Sequence, residues 1–355
     1  MFIRPERKLT RQIFLRDIPV GGGAPIAVQS MTNTDTRNIS STIGQINRLY
    51  EAGCEIVRVA IPDNEAASAL KEIKSKVSPP IIADIHFDHR LALAALEAGA
   101  DGLRINPGTM KSRKGVAEVV KAAADRNVPI RIGVNAGSLP KEILSKYGRP
   151  SPEALVESAL RYVEIFEALG MEHIKISLKS SHVMTTISAY ELLSEKVDYP
   201  LHLGVTEAGT LISGAVKSAI GIGYLLTEGI GDTIRVSLTR DPVDEVKVAY
   251  EILRALDIRH RGPEIISCPT CGRCEIDLFA LVEKVETALS GIKSCPKVAI
   301  MGCVVNGPGE AKEADIGVAG GRGHGILFKN GKVVKKVSEH ELAEVLINEV
   351  KKLVS

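Results

Sequence analysis

With 355 residues the chain is too long for one small domain and suits two domains, or a barrel of about 250 residues with an appendage. Hydrophobic residues at 45% and charged residues at 25% exclude a disordered, collagen-like or disulfide-knotted chain. Forty-five Lys and Arg against 43 Asp and Glu leave a net charge of +2, and aromatic residues make up 4% with no Trp; neither a basic field nor stacking platforms point to nucleic acid, so any anion site is a local cluster.

The N-terminal stretch MFIRPERKLTRQIFLRDIPV carries charges every few residues and has no apolar secretory region, so a cytoplasmic protein is expected. Gln12 to Val20 reads as a small strand or hairpin able to plug the bottom of a barrel. From Gly21 to about Leu256 one theme repeats eight times: a short apolar run, a polar residue or two, then a helix-length amphipathic stretch. The strand candidates are Ile26–Gln29, Glu55–Val59, Ile81–Ile85, Gly102–Ile105, Ile130–Val134, Ile174–Leu178, Leu201–Val205 and Thr233–Leu238. Gly53, Gly99 and Gly170 stand where a helix hands over to the next strand. Eight such units in roughly 235 residues fit a closed (β/α)8 TIM barrel better than an open doubly wound sheet. Residues 136–150 read as an extra loop with a short helix over the barrel mouth. Ala208 to Thr227 is interrupted by Lys217 and contains Gly221 and Gly223, so it reads as an amphipathic buried helix and not as a membrane span.

After Ile258 the text changes. A linker opens a second domain, residues 259–355, following a barrel of residues 1–258. The expected elements are a strand at Glu264–Ser267, a helix at Glu275–Leu289, strands at Val298–Met301 and Ile316–Val318, a hairpin at Asn330-Gly331, and a last helix from Ser338, which forms a capping box with Glu341. That makes a small α/β domain with a modest core of its own.

Reacting groups of a (β/α)8 barrel sit at the C-terminal ends of its strands. Here those ends carry Arg58, Asp84, His86, Arg104, Asn106, Arg131, Asn135, Lys175, Ser177, Lys179, His202, Thr206, Glu207, Arg235 and Ser237. An arginine inside an apolar strand is costly unless paired, because it cannot shed its charge. One of them could pair with Asp84 or Glu207. Four arginines plus Lys179 exceed the carboxylates at that level, and the surplus calls for a multiply charged anion, most simply a diphosphate. His86 and His202 remain unassigned in chemistry.

Five of the six cysteines follow residue 267. Cys268-Pro-Thr-Cys271-Gly-Arg-Cys274 offers two thiolates at metal-ligand spacing, and Cys295 and Cys303 come later. Three assignments compete: a ferredoxin-like run including Cys295, a zinc ribbon of Cys268, Cys271, Cys295 and Cys303, or three irons of a [4Fe-4S] cluster held by Cys268, Cys271 and Cys303. In the third, Gly307, Pro308 and Gly309 could turn the Glu310 carboxylate back as an exchangeable fourth ligand, since oxygen binds iron more weakly than thiolate does. Spacing leaves all three open. Corresponding readings of the whole chain are an iron–sulfur enzyme, a zinc-stabilised barrel lyase on a sugar phosphate, or a zinc-ribbon RNA-binding protein.

The phrases VQSMTNTDT, LRINPG, RIGVNAGSL, HLGVTEAG, IRVSL, SCPTCGR and IMGCVVNGPGEAKEADIGVAGG together resemble the bacterial 4-hydroxy-3-methylbut-2-enyl diphosphate synthase family of the non-mevalonate isoprenoid pathway. The likeness runs through nearly the whole chain. It implies a TIM barrel followed by a small α/β iron–sulfur domain, and reductive opening and dehydration of 2-C-methyl-D-erythritol 2,4-cyclodiphosphate. It also implies a [4Fe-4S] cluster on Cys268, Cys271, Cys303 and Glu310. Diphosphate-binding residues map to Arg58, Arg104, Arg131, Asn135, Lys179 and Ser237, with Asn106, Glu207 and Arg235 nearby. Glu310 then acts in catalysis as the exchangeable ligand, and Glu207 is the candidate acid. A flavodoxin or ferredoxin is the implied electron donor. A homodimer is implied in which the cluster domain of one subunit caps the barrel of the other. Cys274 departs from members without a cysteine there.

Overall fold

In a computed structural model, residues 6–106, 108–110, 112–303 and 313–354 are described. The chain divides into two compact units, Met1–Arg259 and His260–Ser355.

In the first unit, eight parallel strands are β3 (Ala27–Met31), β4 (Ile56–Ala60), β5 (Ile81–Ile85), β6 (Gly102–Ile105), β7 (Ile130–Asn135), β8 (Ile174–Lys179), β9 (His202–Leu203) and β10 (Thr233–Ile234). They lie in the order β8-β7-β6-β5-β4-β3-β10-β9, and a bridge from Ile176 to Leu201 joins the two ends into a closed barrel. Alternation decides what each strand residue meets. Val57, Val59, Ala83, Ile85, Leu103, Ile105, Ile130, Ile132, Ile174 and Ile176 pack outward under the helices, which leaves Arg58, Asp84, Arg104, Arg131 and Lys175 facing the lumen. The lower end is sealed by the expected hairpin, β1 (Ile13–Leu15) with β2 (Ile18–Val20). Its Ile13, Leu15 and Val20 pack on Ala27, Ile56 and Ile82.

The surrounding helices are α1 (Ile39–Ala52), α2 (Asn64–Ser75), α3 (His89–Glu97), α4 (Arg113–Ala124), α5 (Lys141–Tyr147), α6 (Pro152–Ala168), α7 (Val183–Ser194), α8 (Leu211–Thr227) and α9 (Pro242–Ala255). Asn38, Asp63, Asp88, Ser112, Ser151 and Asp241 cap their N-termini through side-chain oxygens. Gly53 takes the left-handed conformation at φ 107° that ends α1. Helix α5 is the short helix anticipated for residues 136–150. Helix α8 buries Ser218, Ile222 and Leu225 on one side only, and among the described residues no helix is long and apolar enough to cross a membrane.

Two strands are shorter than their sequence suggests. β9 stops at Leu203 and β10 at Ile234, although apolar runs continue to Val205 and Leu238. Beyond Ile234 the Arg235 amide still donates to the Leu203 carbonyl at 3.0 Å, while the Arg235 side chain and the Leu238 amide turn to the Glu245 carboxylate of α9.

The second unit is a five-stranded sheet of β11 (Glu264–Ser267), β12 (Lys297–Met301), β13 (Ile316–Gly321), β14 (His324–Lys329) and β15 (Lys332–Ser338), in that order. Helices α10 (Leu278–Leu289) and α11 (Leu342–Val354) bury Leu281, Val285, Leu346 and Val350 against it. Asn330 and Gly331, at φ 46° and 71°, make the expected tight hairpin. Helix α10 begins at Leu278 and not at Glu275, because Asp277 provides the cap by accepting from Ala280 N at 3.1 Å. The capping box is a correction as well. Ser338 ends β15, its hydroxyl bonds the Glu341 carboxylate instead of a backbone amide, and α11 starts only at Leu342.

Candidate active site

Asp84, Arg104, Arg131 and Lys175 are successive register partners across β5, β6, β7 and β8, so one row of the lumen carries three cations beside one carboxylate. Asp84 is shared: Arg104 Nη1 lies 3.2 Å from it, His86 Nε2 3.5 Å and Arg58 Nε 3.7 Å. Burial alone would raise its pKa, but Arg58, His86 and Arg104 outweigh that and hold it well below the usual carboxylate range. Burial brings the Arg58 guanidinium down to about 10 against the pull of Asp84, with Arg235 and Arg104 adding repulsion. Arg58 also donates to Met31 Sδ from Nε at 3.1 Å and from Nη2 at 3.0 Å.

Arg235 leans the other way. Its Nη2 is 3.3 Å from Glu245 Oε1, and Glu245 also accepts from Ser30 Oγ at 2.8 Å and Leu238 N at 3.1 Å. Arg235 therefore pairs with Glu245 of α9 and not with Glu207, the other carboxylate that its sequence neighbourhood offered. Glu207 itself is exposed, with φ 52°, in the turn after β9.

Arg131, Lys175 and Lys179 are buried and make no ion pair among the described residues. Nε and Nη1 of Arg131, Nε of Arg104, Nζ of Lys175, Nε2 of His202 and both amide atoms of Gln29 are buried without hydrogen-bond partners. Burial, followed by the repulsion of Arg58 and Arg104, pushes the Arg131 pKa well down. Burial and Arg131 do the same to Lys179 and His202, and bring Lys175 to about 7. Orphaned buried donors are rare in folded proteins, and those of Arg104, Arg131, Lys175 and His202 all lie on barrel strands. Two glycines make room for the cations: a Cβ at Gly133 would stand 2.5 Å from Arg104 Nε, and one at Gly204 2.7 Å from Lys179 Nζ.

Of the remaining anticipated residues, Asn106 is buried and donates to Ser138 Oγ at 2.7 Å, Asn135 is half-buried at the end of β7, and Ser237 is half-buried in the segment after β10. Met31, Ser138 and Glu245 escaped the sequence reading. Met31 could have been found from register, since it follows Ala27 and Gln29 on the inward face of β3; Glu245 lies in an ordinary amphipathic helix and had no signal. His202 is a satisfied core residue on one side, its Nδ1 2.8 Å from Thr233 Oγ1.

In the second unit, β11 and β12 run parallel with Ser267 opposite Ile300, so Cys268 and Cys303 emerge at neighbouring strand ends. The Gly302 amide donates to Cys268 Sγ at 3.2 Å, and the Cys274 amide closes a turn on the Cys271 carbonyl at 2.9 Å. Cys271 is exposed, and Cys268, Cys271, Cys274 and Cys295 stand as thiols. Among the described residues no three Cys, His, Asp or Glu side chains converge on one point. Glu310 lies outside the described residues. The soft donors fit an iron–sulfur group, because an amide hydrogen bond to sulfur is one means of tuning such a cluster.

Known proteins agree with this architecture. The GcpE TIM-barrel domain family matches residues 10–250, and the GcpE protein C-terminal domain family matches residues 264–352. The chain is 61% identical to 4-hydroxy-3-methylbut-2-en-1-yl diphosphate synthase (flavodoxin) of Geobacter sulfurreducens over 98% of both chains. It is 62% identical to the protein of that name from Maridesulfovibrio salexigens, over 95% of this chain and 94% of the other. Among solved structures, dihydropteroate synthase of Stenotrophomonas maltophilia superposes on 70% of this chain and 98% of its own, with a TM-score of 0.52 at 14% identity, which speaks to the barrel alone. These relatives do not favour the zinc lyase or zinc-ribbon readings.

Proposed function

Since the chain belongs to the 4-hydroxy-3-methylbut-2-enyl diphosphate synthase family, we propose that it opens the ring of 2-C-methyl-D-erythritol 2,4-cyclodiphosphate and releases 4-hydroxy-3-methylbut-2-enyl diphosphate. Two electrons and two protons are consumed, one carbon–oxygen bond to the diphosphate breaks, and one hydroxyl leaves as water. The single observation that carries this reading on the chain itself is the buried cationic surplus of the lumen, above all Arg131 with two nitrogens unpartnered.

Arg58, Arg104, Arg131, Lys179 and Arg235 would grip the diphosphate oxygens, with Asn106, Asn135 and Ser237 fixing its orientation. A dianion seated there satisfies donors already desolvated, so positioning and charge neutralisation cost little reorganisation during the reaction. Asp84 holds Arg58 and Arg104 in place, and Glu245 holds Arg235; both are positioning residues. Glu207, exposed after β9, would deliver the proton that turns the departing hydroxyl into water.

Cys268, Cys271, Cys303 and Glu310 would hold a [4Fe-4S] cluster. Such a cluster supplies electrons singly when bound. The relatives are named for flavodoxin, which supports a flavodoxin as the donor over a ferredoxin. The cytoplasm, where thiols stay reduced, suits this chemistry. We also place the chain in a homodimer, supported by the apolar face of α8 that leaves Ile212, Val216, Ile220 and Tyr224 exposed at every fourth residue. Mixing Cys271→Ser and Arg131→Ala chains tests whether its site is shared: recovered activity fits a site shared between subunits, and none recovered means that each chain closes on itself.

Anaerobic iron and sulfide analysis, joined to turnover of the cyclodiphosphate with reduced flavodoxin, tests the function. About four irons and four sulfides per chain with product formed are expected. Zinc, or protein without inorganic sulfide, overturns the reading.

A further inference from the structure

Lys175 has no part in the reading above. It lies in the same row as Arg131 and is 2% exposed, and its Nζ has no hydrogen-bond partner. The charged groups that act on it are Arg131 from β7, Arg58 from β4 and Asp232 ahead of β10. Lys175 acts in turn on buried His202 of β9. Asp232 is already engaged, by Arg7 at 2.9 Å, by Thr10 Oγ1 at 3.1 Å and by the Leu201 amide at 2.8 Å, so it is not a dedicated counter-ion.

The arginines of the lumen cannot release their protons, whereas a lysine can. A buried cluster with too much positive charge therefore relaxes through its lysines.

We propose that Lys175 couples substrate binding to proton uptake: its ε-amine yields its proton to solvent while Arg131 lacks an anion, and regains one from solvent when a diphosphate lies over Arg131. The inference rests on the lumen being the diphosphate site and adds the group that keeps its charge in balance. No other reactant is needed, since one water-borne proton moves and no bond to carbon or phosphorus changes. Physically, each negative charge brought into the lumen stabilises the ammonium form of the neighbouring amine, so binding and protonation favour each other.

The cyclodiphosphate is the right probe, because each of its phosphorus atoms carries one ester link, one anhydride link and a single strongly acidic group, so its charge is constant between pH 6 and pH 9. Binding to cluster-loaded enzyme without reductant is measured by calorimetry at pH 8 in buffers of different ionisation enthalpy. The wild-type chain should take up protons on binding, and Lys175→Met about one proton fewer. Lys175→Arg, which keeps the charge and the reach but cannot release the proton, should match Lys175→Met in this count. The slope of log Kd against pH between pH 7.5 and pH 9 should fall by up to one, a tenfold change in affinity per pH unit, in both variants. Equal uptake in wild type and Lys175→Arg, or no uptake by wild type on binding, overturns the proposal while leaving the diphosphate site standing. No binding of the cyclodiphosphate by wild type overturns both. The wild-type buffer series needs no variant to fold.

Discussion

Replacing Arg131 by methionine should move stability and function in opposite directions. Arg131 is 2% exposed and, among the described residues, lacks a carboxylate partner and leaves Nε and Nη1 without hydrogen bonds. Each buried unsatisfied donor costs about 1–3 kcal/mol. A side chain of similar length and no charge removes that cost and loses under about 1.5 kcal/mol in shape mismatch. The net gain is about 2 kcal/mol, which for a unit of this size is a rise in Tm of about 4–8 °C. The same substitution removes a fork of donors from the anion, worth about 2–4 kcal/mol, so kcat/KM should fall about 30- to 1000-fold. Differential scanning calorimetry of the anaerobic protein and initial rates with the cyclodiphosphate measure the two. A variant that melts lower than wild type, or that retains kcat/KM, refutes the view that this guanidinium is held in a costly state for the sake of an anion.

Asp84→Asn leaves Arg58 and Arg104 without their shared anion and should cost about 3–5 kcal/mol, read as a lowered denaturant midpoint. Because the folded-state pKa of Asp84 is depressed, its stabilisation is present above the unfolded value of about 4 and lost as pH falls further, so the gap between wild type and variant should close in acid. Lys175 works in the same direction but in a higher pH window, since its folded-state pKa is depressed too. Burial and Arg131 bring it to about 7, so between there and the unfolded value of about 10.4 the unfolded chain binds more protons and stability without substrate rises with pH. Tm against pH should show that rise in wild type and a shallower one in Lys175→Met. Gly133→Ala puts a Cβ 2.5 Å from Arg104 Nε; the displaced guanidinium should lower kcat/KM at least tenfold, with Lys or Arg at other strand ends unable to compensate.

The barrel was legible because its strands are apolar runs and its helices are amphipathic, and arginines inside such runs are conspicuous. Arg58, Arg104 and Arg131 thus announced a charged lumen before any geometry. What the chain does with them was less visible. Asp84 serves two arginines and a histidine at once, a sharing that only register and reach decide. Glu245 is one acidic residue among several in α9, and nothing in its neighbours marks it as the one that turns inward to Arg235 and the Leu238 amide. Lys175 stood among the strand-end residues, but the carboxylate that acts on it, Asp232, is occupied by Arg7, a residue far away in sequence. The start of α11 was misplaced because Ser338 and Glu341 satisfy each other directly, a choice the S-x-x-E spacing does not exclude.

Equilibrium binding of the cyclodiphosphate to the cluster-loaded, unreduced enzyme, set beside the same carbon skeleton without phosphates, tests most directly that the buried cations exist to hold a diphosphate. Binding at least about a hundredfold tighter for the phosphorylated compound, with the difference abolished in Arg131→Met, is the predicted result. Comparable affinity for both compounds, or discrimination that survives the loss of Arg131, would contradict it.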